Sequence, residues 1–203
     1  MKIFKVSVLV IILVASGIYW YVESRQVPNI FETDGNQVYV ENGIKYKRYW
    51  NPDLGLTFGY RLEPNGYTLI EKDIKELQNN SVIKYLMLFN TAEHEELLSA
   101  TEPRDGPPII SIMILKNPDN LEVFTWLKDN GFITNYREGE TVLQPVELGG
   151  AKGVRYKADG LYQDDVVVLN NNYSIYVFTG SYNSPEDVIR KDFLAFLQTI
   201  NLF

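Results

Sequence analysis

Cysteine is absent from the 203 residues. That excludes disulfides, thiolate metal sites, cysteine nucleophiles and a lipid-bearing cysteine behind the N-terminal apolar run. Stability has to come from packing, which a domain of this length can supply. Histidine is nearly absent: His94 stands alone, in Glu93-His94-Glu95-Glu96. The second histidine of an HExxH zinc motif is missing, and consecutive helical residues point in different directions. A solvated, charged helix face accounts for the four. A lone histidine also leaves little for a Ser-His-Asp triad, and no GxSxG elbow occurs.

Positive charge is scarce as well. The formal net charge is −7. Lys2 and Lys5 both precede the first apolar segment, so the chain beyond residue 22 sets 17 basic against 26 acidic residues, or −9. Such a surface repels phosphate backbones and anionic lipid heads, which argues against a nucleic-acid partner.

Other motifs are incomplete. Ser81-Val82-Ile83-Lys84 matches the SxxK of penicillin-recognising enzymes and Ser181-Tyr182-Asn183 loosely matches its companion, but Lys-Thr-Gly is missing. On a strand, residues three apart fall on opposite faces, which separates Ser81 from Lys84. Asp164-Asp165 and Asp159-Gly160 lack the alternating oxygens of a calcium loop. Gly149-Gly150-Ala151-Lys152-Gly153 leads into strand-like alternation rather than a helix, so it reads as a tight turn and not a phosphate cradle. No metal or cofactor is expected.

What the chain does have begins at its start. Residues 6–22 run seventeen positions without a charge, closing on Tyr19-Trp20-Tyr21. As a helix they extend about 25 Å, the short end for a bilayer crossing. Lys2 and Lys5 before the segment put the N-terminus in the cytoplasm and the rest outside. The competing reading is a cleaved signal peptide, with small residues at Val14-Ala15-Ser16 or Ala15-Ser16-Gly17. The aromatic cluster suits an anchor better than a new terminus, and either reading exports the domain. The organisation is then an anchor or signal over 1–22, a linker over 23–36 broken by Pro28 and Gly35, and an extracytoplasmic domain over 37–203.

In that domain, Asn42-Gly43 between QVYVE and IKYKRYW predicts a hairpin, because Asn-Gly suits the positive φ angles of a type I′ turn. Residues 54–60 read as a strand. Residues 66–80 stay open: Thr68 and Glu71 have capping-box spacing, while GYTLIE suits a strand. The apolar runs 82–89 and 109–115 predict central strands covered on both faces. Thr91 is a candidate cap for a short helix, AEHEELLSA. Asn117-Pro118-Asp119 predicts a helix that buries Leu121, Phe124 and Leu127 and ends at Gly131. TVLQPVEL, AKGVRYKA, DVVVL and YSIYVFTG follow as strands. A last helix, capped at Ser184-Pro185-Glu186-Asp187, should bury Ile189, Phe193, Phe196, Leu197 and Ile200. The fold class is α+β: a mainly antiparallel sheet with helices on both faces, an α/β/α sandwich, preceded by one transmembrane helix.

This order of elements resembles the PsbP-like fold. The likeness rests on a strand opening Leu54-Gly55-Leu56-Thr57-Phe58-Gly59-Tyr60, then Pro64, a helix from Leu121 to Trp126-Leu127, Gly-punctuated strands, and a final helix through Phe193-Leu194-Ala195-Phe196-Leu197-Gln198-Thr199-Ile200. It covers roughly residues 50–203 at the level of pattern. The fold is known from extrinsic subunits of the oxygen-evolving photosystem, and membrane-tethered bacterial proteins are built in the same way. The resemblance implies a sandwich serving as a non-catalytic accessory to a membrane complex, with no site residue to transfer.

Two features suggest contacts. Arg104, Asp105, Gly106, Pro107 and Pro108 form a stiff loop before a central strand, a candidate recognition loop whose plainer role is to rigidify the start of that strand. Tyrosines alternate in the strands at Tyr39, Tyr46, Tyr156, Tyr173 and Tyr176, which suits a sticky patch or ordinary β-propensity. The expected function is a non-catalytic interaction or complex-stabilising module at the cell membrane, meeting the bilayer through residues 6–22 and a protein partner through the domain. A cleft for a small molecule or cell-wall glycan is the second expectation. A carboxylate hydrolase, which needs two facing acids in a pocket, is the third.

Overall fold

Apolar residues alternate from face to face along the central strands, so a single sheet has two buried faces to cover. The computed structural model describes residues 37–72, 81–103 and 105–203. The expected anchor and linker, 1–22 and 23–36, lie outside the described residues. Among the described residues no helix is long and apolar enough to cross a membrane.

Among the described residues, eleven strands and three helices follow in the order β1 (Val38–Glu41), β2 (Ile44–Asn51), β3 (Leu56–Glu63), β4 (Tyr67–Lys72), β5 (Val82–Asn90), α1 (Thr91–Ser99), β6 (Ile110–Lys116), α2 (Val123–Thr134), β7 (Gln144–Leu148), β8 (Ala151–Asp159), β9 (Gln163–Asn171), β10 (Ser174–Tyr182), α3 (Val188–Leu197) and β11 (Asn201–Leu202). They form two antiparallel sheets: β1-β2-β3-β11, and the seven-stranded β4-β5-β6-β10-β9-β8-β7. The class is α+β, as expected.

The second sheet was not expected. The last two strand residues, beyond the expected end of the final helix, pair with β3 as Asn201↔Thr57 and Leu202↔Leu56. Tyr49 and Phe58 stack at 4.8 Å between centroids on the small sheet, and Phe58 meets the Phe196 ring of α3 edge-on. One face of the large sheet (Leu86, Ile112, Val167, Leu169, Phe178) is therefore buried under both α3 and the small sheet. The other face (Leu115, Val166, Val168, Ile175, Val177) is buried under α2, through Val123, Trp126 and Leu127.

Several boundaries move for local reasons. Asn42 and Gly43 do form the predicted turn, both with positive φ. Residues 67–72 are strand β4 rather than helix, and Thr68 meets the Thr91 hydroxyl at 3.1 Å instead of capping. Residues 73–80 lie outside the described residues. Asn90, not Thr91, caps α1: its side chain accepts from the amides of Ala92 and Glu93. The helix expected from Asn117 starts later, at Val123, because the buried Asn117 side chain bonds both the N–H and the carbonyl of Leu121 and holds the intervening residues as a turn. That start rotates the stripe, so Trp126 and Val123 are buried with Leu127 while Phe124 faces solvent. Near the expected stop, Asn130 breaks helical geometry before one further turn. Tyr173 sits in the β9–β10 turn with positive φ rather than in a strand. The final helix buries Phe193, Phe196 and Leu197 as predicted, and Ile200 beyond it is buried too.

Candidate functional site

The first site begins with a mismatch in strand length. β9 pairs with β8 from Lys152↔Asn170 through Asp159↔Gln163. On the other side β7 accompanies β8 only as far as Gln144↔Arg155. The chain before β7 is drawn aside by a turn in which Glu140 and Thr141 donate to the Arg137 carbonyl, around a positive-φ Gly139. Residues 156–159 therefore keep one main-chain edge without a strand neighbour among the described residues.

A groove of about 660 Å³ runs along this edge, between the 135–144 segment and α3. Strand alternation divides its side chains. Tyr156 and Ala158 turn into the α2-side core, where the Tyr156 hydroxyl donates to the Thr134 carbonyl at 3.2 Å. Arg155, Lys157 and Asp159 turn to the α3 side. There Arg190 pairs with Asp165 at 2.7 Å and its guanidinium lies over the Tyr182 ring at 5.0 Å. Asp165 is the cross-strand neighbour of Lys157. Arg155 donates from Nε to the neutral Gln144 side chain at 2.9 Å and has no carboxylate partner among the described residues. Val142 (77% exposed) and Leu194 (42%) provide apolar walls.

The second site lies in the seam between the sheets. Arg61 of β3 and the Tyr67 hydroxyl of β4 both donate to Oδ2 of Asp192 on α3, the latter at 2.8 Å. The Arg61 Nε is buried without an acceptor among the described residues. Burial, reinforced by the Asp192 carboxylate, pushes the Tyr67 hydroxyl far above the usual tyrosine range. Two cavities of about 290 and 260 Å³ flank this cluster, each lined by Arg61, Tyr67 and Asp192. Tyr39, Tyr46 and Tyr60 complete the larger one, the first two stacked at 5.5 Å.

The smaller cavity brings Glu93 and Asp187 together beside the paired Asp192, and a hydrolase would need two such facing acids. Partial burial, then Glu96 and Asp187, raise the Glu93 carboxyl. Hydrogen bonds from the Ser184 hydroxyl and the Ser184 and Asn183 amides lower that of Asp187. Diverging carboxyls are the pattern of an acid and a base. Yet Asp187 spends both oxygens on those donors, which fold the chain into α3, and Glu93 is exposed. The pair has no enclosed space in which a substrate could be held dry.

Of the recognition loop, Arg104 lies outside the described residues. Asp105 is exposed, while 106–108 are half-buried. The Tyr162 hydroxyl donates to the Gly106 carbonyl, and Pro108 lines the smaller seam cavity. His94 packs against the Phe89 ring, and among the described residues no cluster could hold a metal ion. Lys84 pairs with Glu71 at 2.6 Å, and the Ser181 hydroxyl donates to Asp164, so the serine motifs do not converge.

Arg61, Asp192, Arg155 and Lys157 were not singled out in the sequence. Asp192 carried a signal: it falls between Ile189 and Phe196 on the buried stripe of α3, where a carboxylate demands a partner. Pro145 marked β7 as an edge strand, since it cannot donate to a ladder. Nothing in the sequence told how far β7 would run.

No protein-family model matches the chain, and no curated protein sequence matches it. Among solved structures it is similar to the solution structure of the cyanobacterial PsbP, CyanoP, from Synechocystis sp. PCC 6803. The identity is 15% and the TM-score 0.48, over 78% of this chain and 92% of that one.

Proposed function

We propose that this chain is a non-catalytic module that engages a protein partner on the outer side of a membrane, to which residues 6–22 hold it. The observation that supports the reading is the groove at the unpaired edge of β8. Its floor is main chain, its walls carry the exposed apolar side chains Val142 and Leu194, and its charges serve as contacts rather than as reacting groups. Enzyme sites instead set convergent polar groups in an enclosed pocket. Of the carboxylates gathered elsewhere, Asp187 and Asp192 are already bonded into the fold and Glu93 lies exposed.

The test is cross-linked co-purification of the full-length protein from its native membranes, compared with Arg155→Glu/Lys157→Glu. A stoichiometric partner that is lost from the double variant is the expected result. A partner recovered equally with the variant would move the contact away from the groove.

The tyrosine-lined seam cavity favours a second reading, a binding cleft for a small molecule or glycan. That reading expects a thermal shift on addition of the saccharide, absent in Tyr39→Ala, and no effect of the groove variant.

A further inference from the structure

Resting on the protein-partner reading, we propose that the groove takes an extended, acidic segment of the partner, added to the seven-stranded sheet as a further strand along residues 156–159. Three observations carry it. The first is the main chain: these residues are already held in strand geometry by β9, and their outer edge has no strand neighbour among the described residues. Four residues of edge extend about 13 Å, enough for a short strand to exchange main-chain hydrogen bonds without reordering the protein.

The second is the pair of walls. Side chains of an added strand alternate above and below the sheet. On one face they meet the 135–144 segment with its exposed Val142; on the other they meet α3 with its exposed Leu194. Such flanking walls confer the specificity that main-chain bonding alone lacks.

The third is charge. On the α3 face the groove sets Arg155, Lys157 and Arg190 against Asp165 and Asp159, in a chain that otherwise carries a large acidic excess. An acidic segment gains there what it loses over the rest of the surface, so the charges select both the partner and its place of landing. They also act against a second copy of this chain, which would bring its own Arg155 and Lys157 up to the same residues. Lysine on an open edge is a known guard against such self-pairing.

The test uses the full-length chain and a short capped peptide alternating glutamate and valine. The controls are the same peptide with lysine for glutamate, an N-methylated form that cannot donate from alternate amides, and Arg155→Glu/Lys157→Glu. Affinity is read by fluorescence titration and location by hydrogen–deuterium exchange. The expected result is slowed exchange confined to residues 154–160. Affinity should fall roughly tenfold with the lysine peptide and with the double variant, and the N-methylated peptide should give no protection. Protection at Tyr39 and Tyr46 instead, affinity indifferent to the charge reversal, or no binding of the acidic peptide would each overturn the strand-addition proposal. The co-purification separates the two levels. A partner lost from the double variant with no peptide binding keeps the module and removes strand addition, whereas a partner retained by that variant removes the groove altogether.

Discussion

The two faces of the seven-stranded sheet are covered by different means. On one, α3 and the four-stranded sheet close over Phe178, Leu86 and Ile112, with Phe58, Phe193 and Phe196 meeting ring to ring. On the other, among the described residues, the single helix α2 lies on Val166, Val168 and Val177, with Tyr136 and Leu143 packed beside it. A second sheet fixes the spacing of the layers, whereas one helix can settle into space left by a deletion. The cost of a cavity depends on how far its surroundings collapse. Phe193→Ala should therefore cost about 3–5 kcal/mol and Leu127→Ala about 2–3 kcal/mol, although both side chains are fully buried. Urea midpoints at unchanged slope would measure both. An equal or larger loss at Leu127 would mean the two coverings are equally rigid.

The next effect probes how closely α3 is seated. Gly180 on β10 has no side chain, and a Cβ built there would run into the Phe193 ring. Gly180→Ala should cost about 1–3 kcal/mol through overpacking. In a Phe193→Ala background the methyl has room, so the double variant should be more stable than the sum of the single changes predicts. Strict additivity would mean that α3 shifts freely and that the covering is not rigid.

The same comparison shows what was legible in the sequence. Local signals came through: Asn42-Gly43 as a turn, the apolar runs that became β5 and β6, and the stripe of α3. They depend on neighbours along the chain. The small sheet was hidden because its closing pair, Asn201 and Leu202 with Thr57 and Leu56, joins residues far apart in sequence, and two residues are too few to show a period. Asn117 concealed the start of α2 because its side chain bonds Leu121 and also reaches Asn170, which is 53 residues away in sequence. The sites suffered most. The open edge of β8 is a difference in length between two paired strands, and the Arg61–Asp192–Tyr67 cluster joins two sheets and a helix.

Polar groups differ between the faces too. In the seam, Asp192→Asn leaves the Arg61 guanidinium without its counter-charge. Both side chains are 21% exposed, so solvent screens part of the loss, and about 1–2 kcal/mol is expected. On the α2 side, Tyr156→Phe leaves only the neutral Thr134 carbonyl unpaired, for about 1 kcal/mol. Thermal unfolding at two salt concentrations distinguishes them: added salt should shrink the Asp192 effect and leave that of Tyr156 unchanged.

The smallest effect is in alkali. Burial raises the hydroxyls of Tyr67 and Tyr156 above the ordinary tyrosine value, and at Tyr67 the Asp192 carboxylate adds to the rise. The folded state thus holds both protons more tightly than the unfolded chain does. Their contribution is complete below the unfolded value, about pH 10, and is lost as pH rises above it, because only the unfolded chain can then ionise freely. Replacing either tyrosine by phenylalanine removes one such proton and should flatten the fall in stability between about pH 10 and 11. Tyr67→Phe and Tyr156→Phe should flatten it alike, since both hydroxyls keep their protons in the folded state across that range. A smaller flattening for one variant in urea titrations across that range would mean that its hydroxyl already ionises in the folded state there, and that its face of the sheet holds the proton less tightly.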